Sequence, residues 1–341
     1  MVRVAHLKSL SNFYKYYKNR KNNIMRIEKT RLMAFCLSVA MACSCVASET
    51  GSVTESFAEV VNPEIPMKAT LAGEPVNLDR IDMAERLDRE LTNIVYGHSS
   101  TMLILKRANR YFPVLAPILE KNGVPVDFVY LAAIESSLNV RAYSRANAAG
   151  LWQFLAATAK QYGLEVNDEV DERYHPEKST VAACKYLKAG YKKYGHWATV
   201  AASYNAGMGR ISGALEKQLV DNSYDLYLNE ETSRYVFRFL AMKMVLENPQ
   251  AYGYRLNASQ LYQPIACREE TVSGSVANWS EWAKARGISY AQLREMNPWI
   301  RASTLTNKAK KTYTVKIPVA ADLYRSKRKC IVWNKKWITK N

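Results

Sequence analysis

The sequence predicts a mainly α protein, a helical lobe followed by a small βααβ module, and three observations carry that expectation. Residues 79–248 read as helix almost throughout, with stops at Gly97, Gly123, Gly163 and Gly195. Pro125 and Pro176 stand at helix starts, where a missing N–H breaks no intrahelical bond. After Asn248-Pro249 the pattern changes to short strands and short amphipathic helices.

A chain of 341 residues has room for two ordinary domains, and 48% hydrophobic with 23% charged residues is a globular composition. Residues 1–47 read as a basic extension and a secretory signal peptide, with Met25 as the expected true start. Residues 25–31 give a positive region and residues 32–46 an apolar run rich in small residues, too short to span a membrane comfortably. Two processing readings stay open: ordinary cleavage after Ala47, or a poor lipobox at residues 40–43 that would acylate Cys43 and tether the protein. Residues 48–76 lack periodicity, contain Pro63, Pro66 and Pro75, and read as a linker.

Helices are expected at 80–94, 101–121, 126–138, 151–162, 177–194, 197–205, 208–219 and 231–247, forming one domain over 77–250. Pro113 and Pro117 are expected to interrupt the second. The module, 265–319, reads as a strand at 265–272, helices at 277–286 and 290–297, and a strand at 313–318. Residues 320–341 read as a basic tail.

The formal charge is +17; residues 1–47 carry nine Lys/Arg and one Glu, which leaves +9 on the remainder. Seven cations follow Leu323 with no acid among them, which suits contact with a membrane or an anionic envelope polymer. No nucleic-acid-binding pattern accompanies them, so nucleic acid is not expected as a partner. Beyond residue 47 the six cysteines reduce to Cys184, Cys267 and Cys330. Cys184 suits a buried thiol, while Cys267 and Cys330 flank the module and are expected to pair in an oxidising compartment. Neither the cysteines nor the four histidines have ligand spacing, so no metal and no cofactor is expected.

Chemistry enters with Glu135. Phe128, Leu131, Ala132, Glu135 and Leu138 share one helical face, four of them apolar, so the glutamate points inward. Burial disfavours the carboxylate and raises its pKa toward the range a general acid needs. Three polar or aromatic sets follow at helix edges: residues 148–154, residues 202–207 and residues 231–236.

That ordered set resembles the lytic transglycosylases with a goose-lysozyme-like catalytic domain, in the subgroup of membrane-bound lytic murein transglycosylase D. The matching residues are Glu135-Ser136, the Gly-Leu-Trp-Gln-Phe box of Gly150 to Phe154, the Tyr-Asn-Ala-Gly box of Tyr204 to Gly207, and Tyr235. Residues 265–319 resemble a divergent LysM module through Ala283, Leu293, Asn297-Pro298-Trp299 and residues 315–318. Gly274-Ser275-Val276 replaces the usual Gly-Asp-Thr, which implies weak wall binding. Asn147 stands where glycine is common, and His175 replaces an aspartate before Pro176.

The resemblance implies a lysozyme-like lobe, an exported protein of the periplasm or outer membrane, and peptidoglycan glycan strands as substrate. It implies cleavage of the β-1,4 bond between N-acetylmuramic acid and N-acetylglucosamine, with Glu135 first as acid and then as base. It further implies that Tyr204 orients Glu135, that Ser136, Gln153 and Asn205 supply hydrogen bonds in the cleft, and that Phe154 and Tyr235 wall it. A hydrolase admitting water and a non-catalytic wall-binding scaffold are the two rival readings.

Overall fold

Leu71 and Val76 are buried, and the loop between them, Ala72-Gly73, has positive φ at both positions, 54° and 82°. That geometry closes a tight hairpin of strands β1 (Lys68–Leu71) and β2 (Glu74–Asn77), with Lys68 opposite Asn77. The computed structural model describes residues 62–339. The expected signal peptide and the start of the expected linker lie outside the described residues. The last part of that linker forms the hairpin: Asp127 Oδ2 accepts from Ala72 N at 2.7 Å, and Leu71 and Val76 join the core.

Eight helices of the lobe follow among the described residues: α1 (Ile81–Tyr96), α2 (His98–Lys121), α3 (Phe128–Ser136), α4 (Ala156–Gln161), α5 (Pro176–Tyr194), α6 (Trp197–Ala206), α7 (Met208–Gln218) and α8 (Glu230–Glu247). One core unites them: Leu87, Leu105, Phe112, Phe128, Leu187 and Phe239 are each almost fully buried. The main departures from expectation have local causes. Helix α2 runs unbroken through Pro113 and Pro117, whose rings lie toward its outer side while Phe112, Leu115 and Ala116 pack inward. Burial of that face outweighs the two lost donors. Helix α3 stops at Ser136 because Ser137 and Leu138 both adopt left-handed φ, 51° and 53°. The helix expected at 151–162 survives as α4 alone, since Gly150 and Gln153 have φ of 78° and 49° and turn residues 148–154 back on themselves.

The module follows its expected order: β3 (Cys267–Val272), α9 (Trp279–Lys284), α10 (Tyr290–Met296) and β4 (Tyr313–Pro318). Its strands pair antiparallel from Cys267 opposite Pro318 to Val272 opposite Tyr313. Asn278 caps α9, and Ser289 with Gln292 forms a capping box on α10. Trp279, Leu293, Trp299 and Val315 fill its core, and so does Val170 from the lobe. The lobe loop 165–172 lies against the module: Val170 bridges Ile300, Asp171 N donates to Trp299 O at 2.9 Å, and Arg301 N donates to Glu169 O at 2.8 Å.

The expected basic tail folds back onto the lobe. Trp337 is buried beside Phe112, and its indole N–H donates to Leu246 O at 2.6 Å. Asn109 on α2 donates to Ile331 O at 2.9 Å and accepts from Trp333 N at 2.8 Å. Two tryptophans near the chain end offer more apolar surface than a solvated tail can leave in water. The expected Cys267–Cys330 disulfide is not formed, and both thiols are free. Cys267 begins β3 with its sulfur turned to Ile265 O, whereas Cys330 sits exposed at the mouth of a different cavity. Cys184 is buried, and burial pushes its thiol up to about 11.

Candidate active site

Four pieces of chain meet around Glu135: the end of α3, the 142–154 turn, the end of α6 and the first turns of α8. Glu135 keeps partial solvent access yet is densely surrounded by protein, and that desolvation pushes its carboxyl up to about 7. Three smaller influences act on it. Tyr235 on α8 donates its hydroxyl to Glu135 Oε1, and Arg238 one turn later lies close by; both favour the carboxylate. Glu231, on the turn before, opposes it. The balance leaves a carboxyl that both holds and releases a proton near neutral pH.

Tyr204 was expected to orient Glu135, and the structure gives that contact to Tyr235. The Tyr204 hydroxyl donates instead to Trp152 O at 2.7 Å, fixing the 148–154 turn to α6. Its ring stands edge-on to Trp152, Phe154 and Tyr186. Burial, then the neighbouring Glu135, raise the Tyr204 phenol well above its usual range, so it stays a neutral donor.

Asn205 is half-exposed, and its Oδ1 accepts from Thr232 Oγ1 at 2.9 Å. Gln153 is also half-exposed, but its amide folds back to Gly150 O at 2.9 Å. Two expected cleft residues are not brought there. Phe154 is buried and packs under Tyr204, so it supports the cleft rather than walling it. Ser136 is buried with its Oγ donating to Ala132 O at 3.0 Å, the usual back-bond of a helical serine.

Sequence reasoning missed the groups that hold these residues. Arg173, buried, pairs with buried Asp171 at 2.7 Å and donates to Asn147 O at 2.8 Å and Phe154 O at 3.1 Å. It therefore clips both ends of the turn that carries Gln153. Gly150 lies so close beneath that a Cβ there would meet Arg173 O at 1.9 Å. Asn147 adopts φ 64°, the left-handed conformation that asparagine tolerates. Trp152 is locked by its indole N–H donating to Thr180 Oγ1 at 2.9 Å. Behind α8, Glu90 on α1 is buried between Arg234 at 2.5 Å and Arg238 at 3.2 Å. A charge run such as Asp171-Glu172-Arg173 reads as a solvated surface; its one sequence signal is a pair of opposite charges two residues apart beside a turn.

The chain resembles known domains in both its lobe and its module. It carries a transglycosylase SLT domain at residues 115–224 and a soluble lytic transglycosylase C-terminal LysM-like domain at residues 268–321. The first span contains Glu135, the Gln153 turn and Asn205, while Tyr235 lies just beyond it.

Among particular proteins, the chain is similar to membrane-bound lytic murein transglycosylase D of Escherichia coli (strain K12), 32% identical over 238 residues, which is 68% of this chain and 50% of that protein. It thus spans about half the length of that relative. It is also similar to peptidoglycan transglycosylase gp16 of Escherichia phage T7, 38% identical over 95 residues, covering 27% of this chain and 7% of that protein. The 70 kDa soluble lytic transglycosylase SLT70 from Escherichia coli superposes on 52% of this chain and 31% of its own, at 20% identity and a TM-score of 0.38.

Proposed function

We propose that this protein is a peptidoglycan lytic transglycosylase of the bacterial envelope that cleaves the β-1,4 bond between N-acetylmuramic acid and N-acetylglucosamine without water. The observation that carries the reading is Glu135, a carboxyl poised near neutral pH and hydrogen-bonded by a phenol. Among the described residues no second carboxylate shares a hydrogen bond with it, which suits one residue serving both half-reactions.

Glu135 protonates the bridging oxygen as the bond from the muramic C1 breaks. The N-acetyl carbonyl of the same sugar stabilises the developing cation. The carboxylate then takes the C6 hydroxyl proton, and that oxygen closes on C1 to give a 1,6-anhydro end. Atoms balance with no water consumed, and Glu135 returns to its protonated form. In this reading Tyr235 steadies the charge on Glu135, and Tyr204, Asn205 and Gln153 line and brace the sugar site. Glycan strands are the substrate, with the LysM-like module adding weak wall contact.

The test is mass spectrometry of products released from purified sacculi. A 1,6-anhydro end from the native protein, lost in Glu135→Gln, supports the scheme. A reducing end, heavier by one water, assigns the site to a hydrolase instead. Unchanged product from folded Glu135→Gln removes Glu135 from the chemistry.

A further inference from the structure

Where the C-terminal segment crosses α2, a cavity of about 770 Å³ opens, and no residue of the Glu135 site lines it. Lys106 and Arg110 of α2 and Arg325 and Arg328 of the C-terminal segment line it, together with Ser259 and Ser326, and no carboxylate contributes. Among the described residues none of these four cations forms an ion pair.

Two of the guanidiniums are anchored to consecutive carbonyls of one segment. Arg110 Nε donates to Gln263 O at 3.1 Å, and Arg328 Nη2 donates to the following carbonyl, Pro264 O. Each keeps further N–H donors free of that bond. Like charges gathered around one recess repel, and a bound anion turns the same arrangement favourable. A guanidinium fork suits phosphate oxygens, and two lysine or arginine neighbours supply charge for a group that carries more than one negative charge. A lone carboxylate would balance one cation of four.

We infer that this cavity is an anion site for a phosphate-bearing ligand, independent of the cleavage reaction. The chemistry is the same for free phosphate groups and for a phospholipid headgroup, so the experiment has an arm for each. Full-length protein is titrated with inorganic pyrophosphate by calorimetry, and sedimented with vesicles of phosphatidylglycerol and phosphatidylcholine against phosphatidylcholine alone.

The informative variant is Lys106→Gln with Arg325→Gln, because neither side chain holds another part of the fold. A control removes two exposed cations elsewhere, Lys188→Gln with Lys192→Gln. Binding in either arm that weakens roughly thirtyfold in the first variant and survives in the control supports the site. Pyrophosphate without vesicle binding makes the ligand a free or polymeric phosphate; vesicle binding makes it a headgroup. No binding in both arms, or equal loss in both variants, overturns the proposal.

Discussion

Tyr235 donates its hydroxyl to Glu135 Oε1 across 100 residues of sequence, tying the end of α3 to the second turn of α8. The bond favours the ionised carboxylate, opposing the burial that favours the neutral acid. Tyr235→Phe removes it. Loss of a hydrogen bond to a charged group predicts roughly a 10–100-fold fall in turnover of sacculi. The alkaline limb of the pH profile should also move upward, since Glu135 then holds its proton more tightly. An unmoved limb would contradict this role.

Glu90→Gln should move the same limb the other way. Glu90 supplies the counter-charge to Arg238, which in turn favours the ionised form of Glu135. With Glu90 neutral, the positive charge of Arg238 stabilises the Glu135 carboxylate uncompensated and lowers its pKa. Activity measured across the neutral range checks the direction, with circular dichroism confirming the fold.

Glu135 itself costs stability in its folded place. Its pKa is about 7 when folded against 4.5 as the unperturbed value, so between those pH values the native state keeps a proton that the unfolded chain has lost. Stability therefore falls as pH rises through that window. Glu135→Gln does not titrate, so it should equal the native protein near pH 4 and exceed it near pH 8, by about 3 kcal/mol at most. Thermal melts of both proteins at the two pH values decide it.

Gly150→Ala meets two obstacles together, a φ of 78° and a backbone oxygen 1.9 Å from the new Cβ. Neither can relax without moving the Arg173 clip. A loss of about 4 kcal/mol or more is expected, read as a large drop in melting temperature or failure to accumulate.

Trp337→Ala should cost about 3–5 kcal/mol, because it empties a fully enclosed site beside Phe112 and strips Leu246 O of its donor. A solvated tail would show no change in denaturant midpoint.

The sequence disclosed what periodicity and local chemistry control. Glu135 was legible because Phe128, Leu131 and Ala132 at helical spacing turn it inward, although Leu138, read on the same face, lies beyond the helix end, and most helix ends followed from Gly and Pro. It did not disclose which tyrosine reaches Glu135, because Tyr204 and Tyr235 sit on different helices and motif spacing says nothing of the distance between them. The hairpin stayed hidden behind prolines, although Ala72-Gly73 was a usable turn signal. The Arg173 clip was opaque for a different reason. The groups it clips on the turn are backbone carbonyls, Asn147 O and Phe154 O, and a carbonyl carries no residue identity.

Val170 belongs by sequence to the lobe and by packing to the module, whose core it helps fill. A cut placed between residues 250 and 265 is clean along the chain but not through the molecule. A transplanted module would arrive with a hole where Val170 had been, and the lobe left behind would present that valine to water. The loop 165–172 also leads directly into Asp171 and Arg173, so any graft that replaces it redraws the turn beneath the cleft. The unit that can be exchanged between proteins is therefore the module together with that loop, not the module alone.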